Sequence, residues 1–342
     1  MELNIAEVLA VLLVVAVFVF GGIRIGLRFV IRRLAGLIFV MLGVSFITFI
    51  LGYITPGSAV DLLCSKCTAT KLAALYHFYG LDQPWYVQYW HFLSNLLHFD
   101  LGLSFEIRGL RVSDILSSGI PISAQIGLLA VILQVIIGVP IGIYAAVRAG
   151  KWSDTVLMTI ALMIFALPTF VIIPFYQLLM VALSQHNLPF LPVSGWGQPI
   201  NYIAPVGILA LVGLGFYARL TRTTMLEVLG QDYVRTARAK GLSERVVVYR
   251  HAFRNSLVPL VTAIGPGLAF IVGGAFFTET LFNIPGIGFM AVSAIHLIQQ
   301  TPLMLAWIFW VGAVGYALDA LLRAAFQVIA PWSKAGRLGN NV

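Results

Sequence analysis

Long runs of apolar residues recur along this chain, separated by shorter polar segments. Six of these runs cover approximately residues 34–54, 121–147, 155–183, 203–222, 257–279 and 303–328. Each run approaches or exceeds the roughly 20 residues that an α-helix needs to cross the hydrocarbon core of a bilayer. The sequence therefore predicts an all-α, polytopic membrane protein with six core spans.

The composition excludes a soluble globular protein. Of the 342 residues, 60% are hydrophobic and only 10% are charged, and a soluble chain would leave much of that apolar surface in water. The net charge of +8 does not indicate nucleic-acid binding, because the basic residues are not interleaved with base-stacking aromatic motifs.

The basic residues predict the orientation of the chain instead. If residues 23–33 lie in the cytoplasm, the inner segments together with the inner ends of the spans hold 17 of the 21 Lys and Arg residues. The outer segments then hold only Lys66, Lys71, Arg108 and Arg111. This asymmetry follows the positive-inside rule and places the tail at 332–342 in the cytoplasm.

A further apolar run covers residues 7–22 and is followed by four arginines before residue 34. A cleaved secretory signal carries its positive charges before the apolar run, so this order favours an uncleaved helix with its N-terminus outside. We interpret residues 1–26 as an extra N-terminal transmembrane helix, and a misplaced start codon is the alternative.

One polar, strongly basic stretch lies between the fourth and fifth core spans. Residues 231–259, named the basic segment below, read QDYVRTARAKGLSERVVVYRHAFRNSLVP. Asp232 is a candidate N-cap for a short helix to about Lys240, and Gly241 stands where a left-handed residue would end that helix. Ser243 is a candidate N-cap for a second helix. The apolar side of that second helix would consist of Val246, Val247, Tyr249 and Phe253. An ordinary basic connecting loop is the alternative interpretation.

Two strings in the basic segment carry a family resemblance. YVRTARAKGL followed by RHAFRNSLVP resembles the cytoplasmic coupling loop of binding-protein-dependent ABC importers, and more narrowly that of permeases of the dipeptide/oligopeptide/nickel family. The superfamily pattern is Glu-Ala-Ala, three residues, Gly, nine residues, Ile-x-Leu-Pro. Here Arg235-Thr236-Ala237 replaces the first triplet and Gly241 is kept. The last proline comes later, at Pro259, and these departures are typical of the peptide branch.

The resemblance covers residues 27–331 and implies the transmembrane domain of an importer, with an external loop at 55–120 and a cytoplasmic coupling loop at 223–256. It implies half of a translocation pathway, in a prokaryotic cell membrane, for peptides delivered by an extracytoplasmic binding protein. The implied partners are a homologous second permease and two ATPase subunits. Oligosaccharides or nickel are alternative cargoes within the same branch.

The resemblance also implies that the first helix of the basic segment docks into a cleft of an ATPase subunit. Small residues at 237, 239 and 241 would let that surface approach closely. Among the candidates, Arg235, Arg238 and Lys240 would supply polar contacts. The full set of candidate coupling residues is Asp232, Tyr233, Arg235, Thr236, Ala237, Arg238, Ala239, Lys240 and Gly241.

The predicted external loop contains an amphipathic helix, for which Asp82 is a candidate N-cap with Pro84 in the first turn. Aromatic and apolar residues follow: Trp85, Tyr86, Tyr89, Trp90, Phe92, Leu93, Leu96 and Leu97. Such a helix is typical of the membrane interface. The strings YGLDQPWYVQYW and DLGLSF resemble the family's outer loop, which implies a surface that meets the binding protein. A lid over the helix ends is the alternative.

Cys64 and Cys67 are the only cysteines, and both fall in the predicted external loop. Outside the cell, such a pair most simply forms a local disulfide, and free thiols or a zinc site are the alternatives. Zinc would need two more ligands, for which His77, His91 and His98 are nearby but lack finger-like spacing.

Glu279 is followed by FNIPGIGF at residues 282–289. This is turn chemistry, and its resemblance to the peptide-permease pattern implies that it shapes the outer mouth of the pathway. The candidate outer-mouth residues are Glu279, Asn283, Pro285, Gly286 and Gly288. A glutamate near a span is costly unless it is paired or hydrated, and a helix-end carboxylate is the alternative interpretation.

Several polar residues and prolines fall inside the predicted spans. The glutamines are Gln125, Gln134 and Gln177, and the prolines are Pro140, Pro168 and Pro174. The glutamines are candidates to line the pathway, and the prolines predict kinks, for which gating and simple packing are equally good explanations. Asp319 and Arg323 lie four residues apart on the last span and could form an ion pair.

The sequence contains no nucleotide-binding or catalytic motif. The stretch at residues 149–152 lacks the glycine-rich loop and the Ser or Thr of a Walker A motif, and no paired-carboxylate or nucleophile motif occurs. We expect no ATP hydrolysis, cofactor or metal in this chain. An ion-coupled carrier and a structural subunit of a membrane complex are the alternatives from other classes, but only Asp319 and Glu279 could serve as intramembrane acids for a carrier.

Overall fold

The computed structural model describes residues 27–54, 60, 67–98, 100, 102, 111–188, 190–272 and 275–296. All regular elements of this described part are helical, which confirms the predicted all-α class. The elements are α1 Leu27–Ile54, α2 Ala69–Phe78, α3 Trp85–Leu97, α4 Val112–Val147, α5 Trp152–Ala166, α6 Thr169–Gln185, a 3₁₀ turn Pro199–Tyr202, α7 Ile203–Leu229, α8 Asp232–Ala239, α9 Glu244–Val246, a π-helix Val247–Phe253, α10 Arg254–Val272, α11 Phe276–Phe282 and α12 Ile287–His296.

Among the described residues, three helices are each long and apolar enough to cross a membrane. They cover Leu34–Ile54, Val112–Val147 and Pro199–Leu229. The spans predicted at 34–54, 121–147 and 203–222 are therefore confirmed as helices of sufficient length. Large apolar side chains on them face outward, and Phe39 is 80% exposed. Exposed apolar surface of this kind is typical of helices that lie in a membrane.

The span predicted at 155–183 consists of two helices, α5 and α6, which meet at an angle of 92° and together are long and apolar enough to form one bent span, so the kink predicted at Pro168 is confirmed. Leu167 adopts an extended conformation and Pro168 stands at the N-cap of α6. A proline disfavours helical geometry at the residue before it, which explains the break at this position. By contrast, α4 and α6 continue past Pro140 and Pro174.

The span predicted at 257–279 is also not one helix. Helix α10 ends at Val272, Ala275 has a non-helical backbone (φ −71°, ψ 65°), and α11 begins at Phe276. The predicted span at 303–328 with Asp319 and Arg323, the N-terminal run at 7–22, and the tail at 332–342 lie outside the described residues.

The described residues form two compact units, those up to residue 123 with 285–296, and those within 124–284. In the first unit, α3 packs on α1. The hydroxyl groups of Tyr89 and Ser45 lie 3.0 Å apart, and the ring of Phe46 meets Tyr89 edge-on at 5.4 Å.

Helix α3 begins at Trp85, so the prediction of Asp82 as its N-cap is wrong. The amide groups of Val87 and the next residue donate to the carbonyl of Pro84 instead. Asp82 Oδ2 lies 2.8 Å from Nδ1 of His77 across the turn between α2 and α3. This hydrogen bond holds the pKa of the Asp82 carboxyl below its ordinary value.

In the second unit, α4 and α7 approach closely at two glycines one turn apart. A Cβ atom on Gly142 would lie 2.5 Å from the carbonyl oxygen of Ala218 and 2.5 Å from Cβ of Thr221. One on Gly138 would lie 2.9 Å from the Leu214 carbonyl oxygen. Small residues at such spacing let helix backbones approach in a membrane, so these two glycines set the α4–α7 distance.

Candidate functional site

The basic segment begins with a short, well-defined helix. Helix α8 covers Asp232–Ala239 and ends at Lys240. Gly241 follows with φ +75°, so both the predicted helix and its left-handed end are confirmed. The prediction of Asp232 as the N-cap is wrong by one residue, since Gln231 occupies that position and makes no side-chain capping bond. An acidic residue in the first turn still stabilises the helix through the macrodipole.

One face of α8 is buried inside the chain. Val234 is fully buried and Ala237 is 5% exposed, and both pack with the fully buried Val247. Val228 and Leu229, at the end of α7, cover the same cluster. The small side chain of Ala237 therefore serves internal packing, which corrects the expectation that it lets another surface approach.

The other face of α8 is exposed and predominantly basic. The exposed candidates in α8 and just after it are Asp232, Tyr233, Arg235, Thr236, Arg238, Ala239, Lys240 and Gly241. Arg235 lies 3.6 Å from Asp232 in an exposed pair. Such a surface can bind an acidic partner, and its groups form no nucleophile–base arrangement for covalent chemistry.

Two side-chain contacts hold α8 against the elements that follow it. Arg238 Nη2 donates to Glu244 Oε1 at 2.7 Å across the Gly241 turn. The guanidinium holds the pKa of the Glu244 carboxyl below its ordinary value. Asn255, in the first turn of α10, donates through Nδ2 to the hydroxyl of Tyr233 at 2.8 Å. The helix is thus fixed at both ends by polar contacts.

A π-helix at Val247–Phe253 connects α8 and α9 to α10. Its buried residues are Val247, Val248 and Ala252, a spacing of one and five residues that suits i→i+5 geometry. The predicted apolar side was based on the 3.6-residue period and is only half correct, since Val246 is 36% exposed and Tyr249 56% exposed. Ser243 does stand at the N-cap of α9, without a side-chain capping bond.

The π-helix is joined to the membrane helices by an apolar cluster. Val248 and Ala252 pack with residues of α4, α7 and α10. The buried members of this cluster are Val139, Ile143, Ala146, Met225, Val248, Ala252 and Leu260. The π-helix of the basic segment is therefore in direct contact with the spanning helices α4 and α7 and with α10.

An ion pair that the sequence analysis missed links α5 to α7. Arg222 donates to both carboxylate oxygens of Asp154, from Nε at 2.6 Å and from Nη2 at 2.7 Å. The amide of Gly150 donates to the same carboxylate at 3.1 Å. The Asp154 side chain is 4% exposed. A carboxylate near a membrane span is expected to have a charged partner. The sequence does not show which residue is the partner of Asp154, because Arg222 is 68 residues away.

The three glutamines predicted to line the pathway all make hydrogen bonds within the second unit. Gln134 Nε2 donates to the carbonyl of Leu209 at 2.9 Å. Gln177 Nε2 donates to the carbonyl of Leu281 at 2.8 Å, and Gln125 Oε1 accepts from a tyrosine hydroxyl at 2.8 Å. These contacts give each glutamine a packing role.

The candidate outer-mouth residues fall in both units. In the second unit, Glu279 lies in α11 and is 1% exposed, and Asn283 ends that helix with φ 55°. Glu279 therefore does not end a long span as predicted. In the first unit, Pro285, Gly286 and Gly288 surround the start of α12. Their role at an outer mouth stays a prediction.

The predicted Cys64–Cys67 disulfide also stays a prediction, because Cys64 lies outside the described residues.

Two sequence patterns of one transporter family match this chain. Residues 138–331 match the binding-protein-dependent transport system inner membrane component. Residues 26–106 match the N-terminal membrane component of binding-protein-dependent transport systems. The first match alone covers more than half of the chain.

Two relatives align over most of both sequences. The dipeptide transport system permease protein DppB of Bacillus subtilis (strain 168) is 34% identical over 314 residues, or 91% of this chain and 99% of that protein. The glutathione transport system permease protein GsiC of Escherichia coli (strain K12) is 35% identical over 272 residues, or 79% of this chain and 87% of that protein.

A solved structure of the MetNI methionine ABC transporter in inward-facing conformations covers 61% of this chain and 95% of its own, with a TM-score of 0.49 and 18% identity. That likeness is too weak to add to the sequence matches. From those matches, the chain belongs to the family of binding-protein-dependent transport system inner membrane components and is a multi-pass transport permease rather than an enzyme.

Proposed function

We propose that this chain is one of two permease subunits of an ATP-driven importer and that the importer carries peptides. The cargo is supported by the names of the relatives, which transport dipeptides and glutathione and align over 99% and 87% of their own lengths. Neither relative supports oligosaccharide or nickel as the cargo.

The proposed importer also contains a homologous second permease, two ATPase subunits and an extracytoplasmic binding protein. Membership of a binding-protein-dependent family supports the last of these. We place the N-terminus outside and the basic segment and C-terminus in the cytoplasm, because 17 of the 21 Lys and Arg residues then lie inside. The external loop at 55–120 would face the binding protein.

The proposed coupling mechanism depends on the two different faces of α8. Its outer face presents Arg235 and Lys240 to the cytoplasm, where they can contact acidic groups of an ATPase subunit. Its inner face is packed through Val234 on Val247 and on the end of α7. A packed contact transmits displacement because protein interiors have low compressibility.

Movement of a docked ATPase subunit would therefore pass from α8 to the π-helix and to α7. The π-helix contacts α4 and α10 through Val248 and Ala252, so the same displacement reaches the helices that would form the pathway. ATP-driven association of the two ATPases would switch the pathway to outward-facing, and hydrolysis would return it to inward-facing.

Co-purification of the affinity-tagged full-length chain in mild detergent tests this proposal. We expect recovery of a second permease and of ATP-binding subunits, together with ATPase activity that the tagged chain alone does not have. Recovery of the chain alone, in a form that moves solute on an ion gradient, would replace the importer with an ion-coupled carrier.

A further inference from the structure

A groove between α5 and α7 has a polar end that the coupling mechanism does not use. It has a volume of about 390 Å³. Its polar lining residues are Asp154, Thr155, Thr159, Arg219, Arg222 and Thr223. Since all of these lie in α5 and α7, the groove belongs to the second unit.

The polar end of the groove carries one uncompensated positive charge. Arg222 is neutralised by its ion pair with Asp154. Arg219, one turn away on α7, is exposed and makes no ion pair within the described ranges. An arginine held beside hydroxyl groups at a membrane surface is a typical recognition site for a phosphate group.

Three threonines line the groove together with Arg219. Thr155 and Thr159 lie one turn apart on α5, and Thr223 lies one turn from Arg219 on α7. All three are exposed, and none of their hydroxyls has a hydrogen-bond partner among the residues that the structure describes. The groove thus offers hydroxyl donors next to a guanidinium, a donor set suited to phosphate oxygens.

Apolar side chains also line the groove. They are Met158 and Leu162, one and two turns along α5 from Asp154. Because Asp154 pairs with Arg222 and Ala161 lies against Gly215, α5 and α7 run antiparallel, and Leu162 lies further from the basic segment than the ion pair does. In the proposed orientation, Leu162 is therefore on the bilayer side of the groove. A soluble anion would leave Met158 and Leu162 uncovered, whereas an acyl chain would cover them.

We propose that this groove binds an anionic phospholipid of the cytoplasmic leaflet, with the phosphate at Arg219 and the threonine hydroxyls and an acyl chain over Leu162. Basic pockets between membrane helices on the cytoplasmic side are known to hold lipid headgroups of this charge. The inference rests on the proposed orientation of the chain and is independent of its cargo.

Native mass spectrometry of the delipidated full-length chain tests the lipid site. Phosphatidylglycerol and phosphatidylcholine would be added separately, and the number of retained lipids counted for each variant. We expect the wild type to retain phosphatidylglycerol but not phosphatidylcholine. Arg219→Gln should weaken this retention by about tenfold, the loss of one charge-assisted contact.

Matched variants separate the site from general charge effects. Arg250→Gln removes an exposed arginine of the basic segment outside the groove and should leave retention unchanged. Arg219→Lys should retain part of the binding, and Thr159→Val should weaken it with little change in side-chain volume. If Arg219→Gln does not yield folded protein, these last two variants provide the same test.

Equal retention of phosphatidylglycerol by wild type and Arg219→Gln would overturn the proposal. A second contrary result would be competition by inorganic phosphate at concentrations similar to the lipid, because the site would then recognise a free anion. Neither result depends on uptake or ATP hydrolysis, so failure of the lipid site is distinguishable from failure of the importer.

Discussion

Arg222 of α7 donates two hydrogen bonds to the carboxylate of Asp154 in α5, at 2.6 and 2.7 Å. The pair lies seven residues before the end of α7, and α8 begins only three residues after that end. The ion pair therefore helps to fix the orientation of the end of α7, from which the basic segment begins. Because the Asp154 side chain is 4% exposed, removing either charge would leave the other without its counter-charge.

Replacing Asp154 by Asn should destabilise the protein by about 2–3 kcal/mol, since Arg222 would lose its counter-charge in a partly buried position. The free energy of unfolding in detergent would be measured by denaturant titration. The double variant Asp154→Leu with Arg222→Met should be more stable than Asp154→Asn, because no unpaired charge remains.

The exposed pair of Asp232 and Arg235, at 3.6 Å, provides the control for this ion pair. Asp232→Asn should change the free energy of unfolding by no more than about 0.5 kcal/mol. Equal effects of Asp154→Asn and Asp232→Asn would show that burial does not matter to the first pair.

Gly142→Val should disrupt the packing of α4 on α7. The new Cβ would lie 2.5 Å from the backbone oxygen of Ala218, and backbone cannot give way without moving the helix. We expect a loss of about 3 kcal/mol and a lower yield of monodisperse protein by size-exclusion chromatography. Gly207→Val, on α7 with no atom within 4 Å of its Cβ position, should leave both measurements nearly unchanged.

Gly241→Val should lower the number of cargo molecules taken up per ATP hydrolysed. Gly241 has φ +75° and open space around its Cβ position, so the cost comes from the backbone alone, about 1–2 kcal/mol. We expect the strained backbone to relax by changing the conformation of the turn that joins α8 to α9. Gly241→Asn should retain coupling, because asparagine tolerates this conformation.

Gly197 offers a control, with φ +102° and no atom within 4 Å of its Cβ position. Gly197→Val imposes backbone strain on the segment between α6 and α7, at the opposite end of α7 from the basic segment, and should leave the uptake-to-hydrolysis ratio unchanged. Normal uptake by a normally assembled Gly241→Val complex would contradict the coupling role.

The contact between Arg238 and Glu244 should make the turn of the basic segment sensitive to pH. The pKa of Glu244 in the folded protein lies below the ordinary 4.5. Its contribution to stability is therefore complete above pH 4.5 and is lost as the pH falls through the folded pKa. Both side chains are about half exposed, so the contribution is small, about 0.2–1 kcal/mol.

Hydrogen-exchange protection of the amides at 238–246 measures this effect. Glu244→Gln should reduce protection at neutral pH and match the wild type well below pH 4.5. Glu227→Gln, at an exposed glutamate without an ion pair in the described part of the chain, should leave protection unchanged at both pH values. A constant difference across the pH range would rule out titration of Glu244 as the cause.

Local signals account for what could be predicted from the sequence. A glycine after a short polar helix specifies a left-handed end, and Gly241 adopts one. Long apolar runs specify spanning helices whatever they contact, so three spans were predicted from length alone. The spacing of Gly138 and Gly142 is also a local signal for close helix packing.

Non-local contacts account for what could not be predicted. The partner of Asp154 is 68 residues away, and no periodic pattern connects the two. Pro168 predicts a kink, but the 92° angle depends on what α6 meets, and Gln177 of α6 bonds to α11. The π-helix at Val247–Phe253 shifts the period of the buried residues, so a period of 3.6 residues per turn predicts the wrong side for Tyr249.

Uptake by proteoliposomes tests the proposed importer most directly. The complex that co-purifies with the full-length chain would be reconstituted, and accumulation of a labelled dipeptide measured with and without ATP and the purified binding protein. We predict accumulation only when both are present, and a reduced ratio of uptake to ATP hydrolysis for Gly241→Val. Accumulation driven by an ion gradient without ATP would contradict the importer.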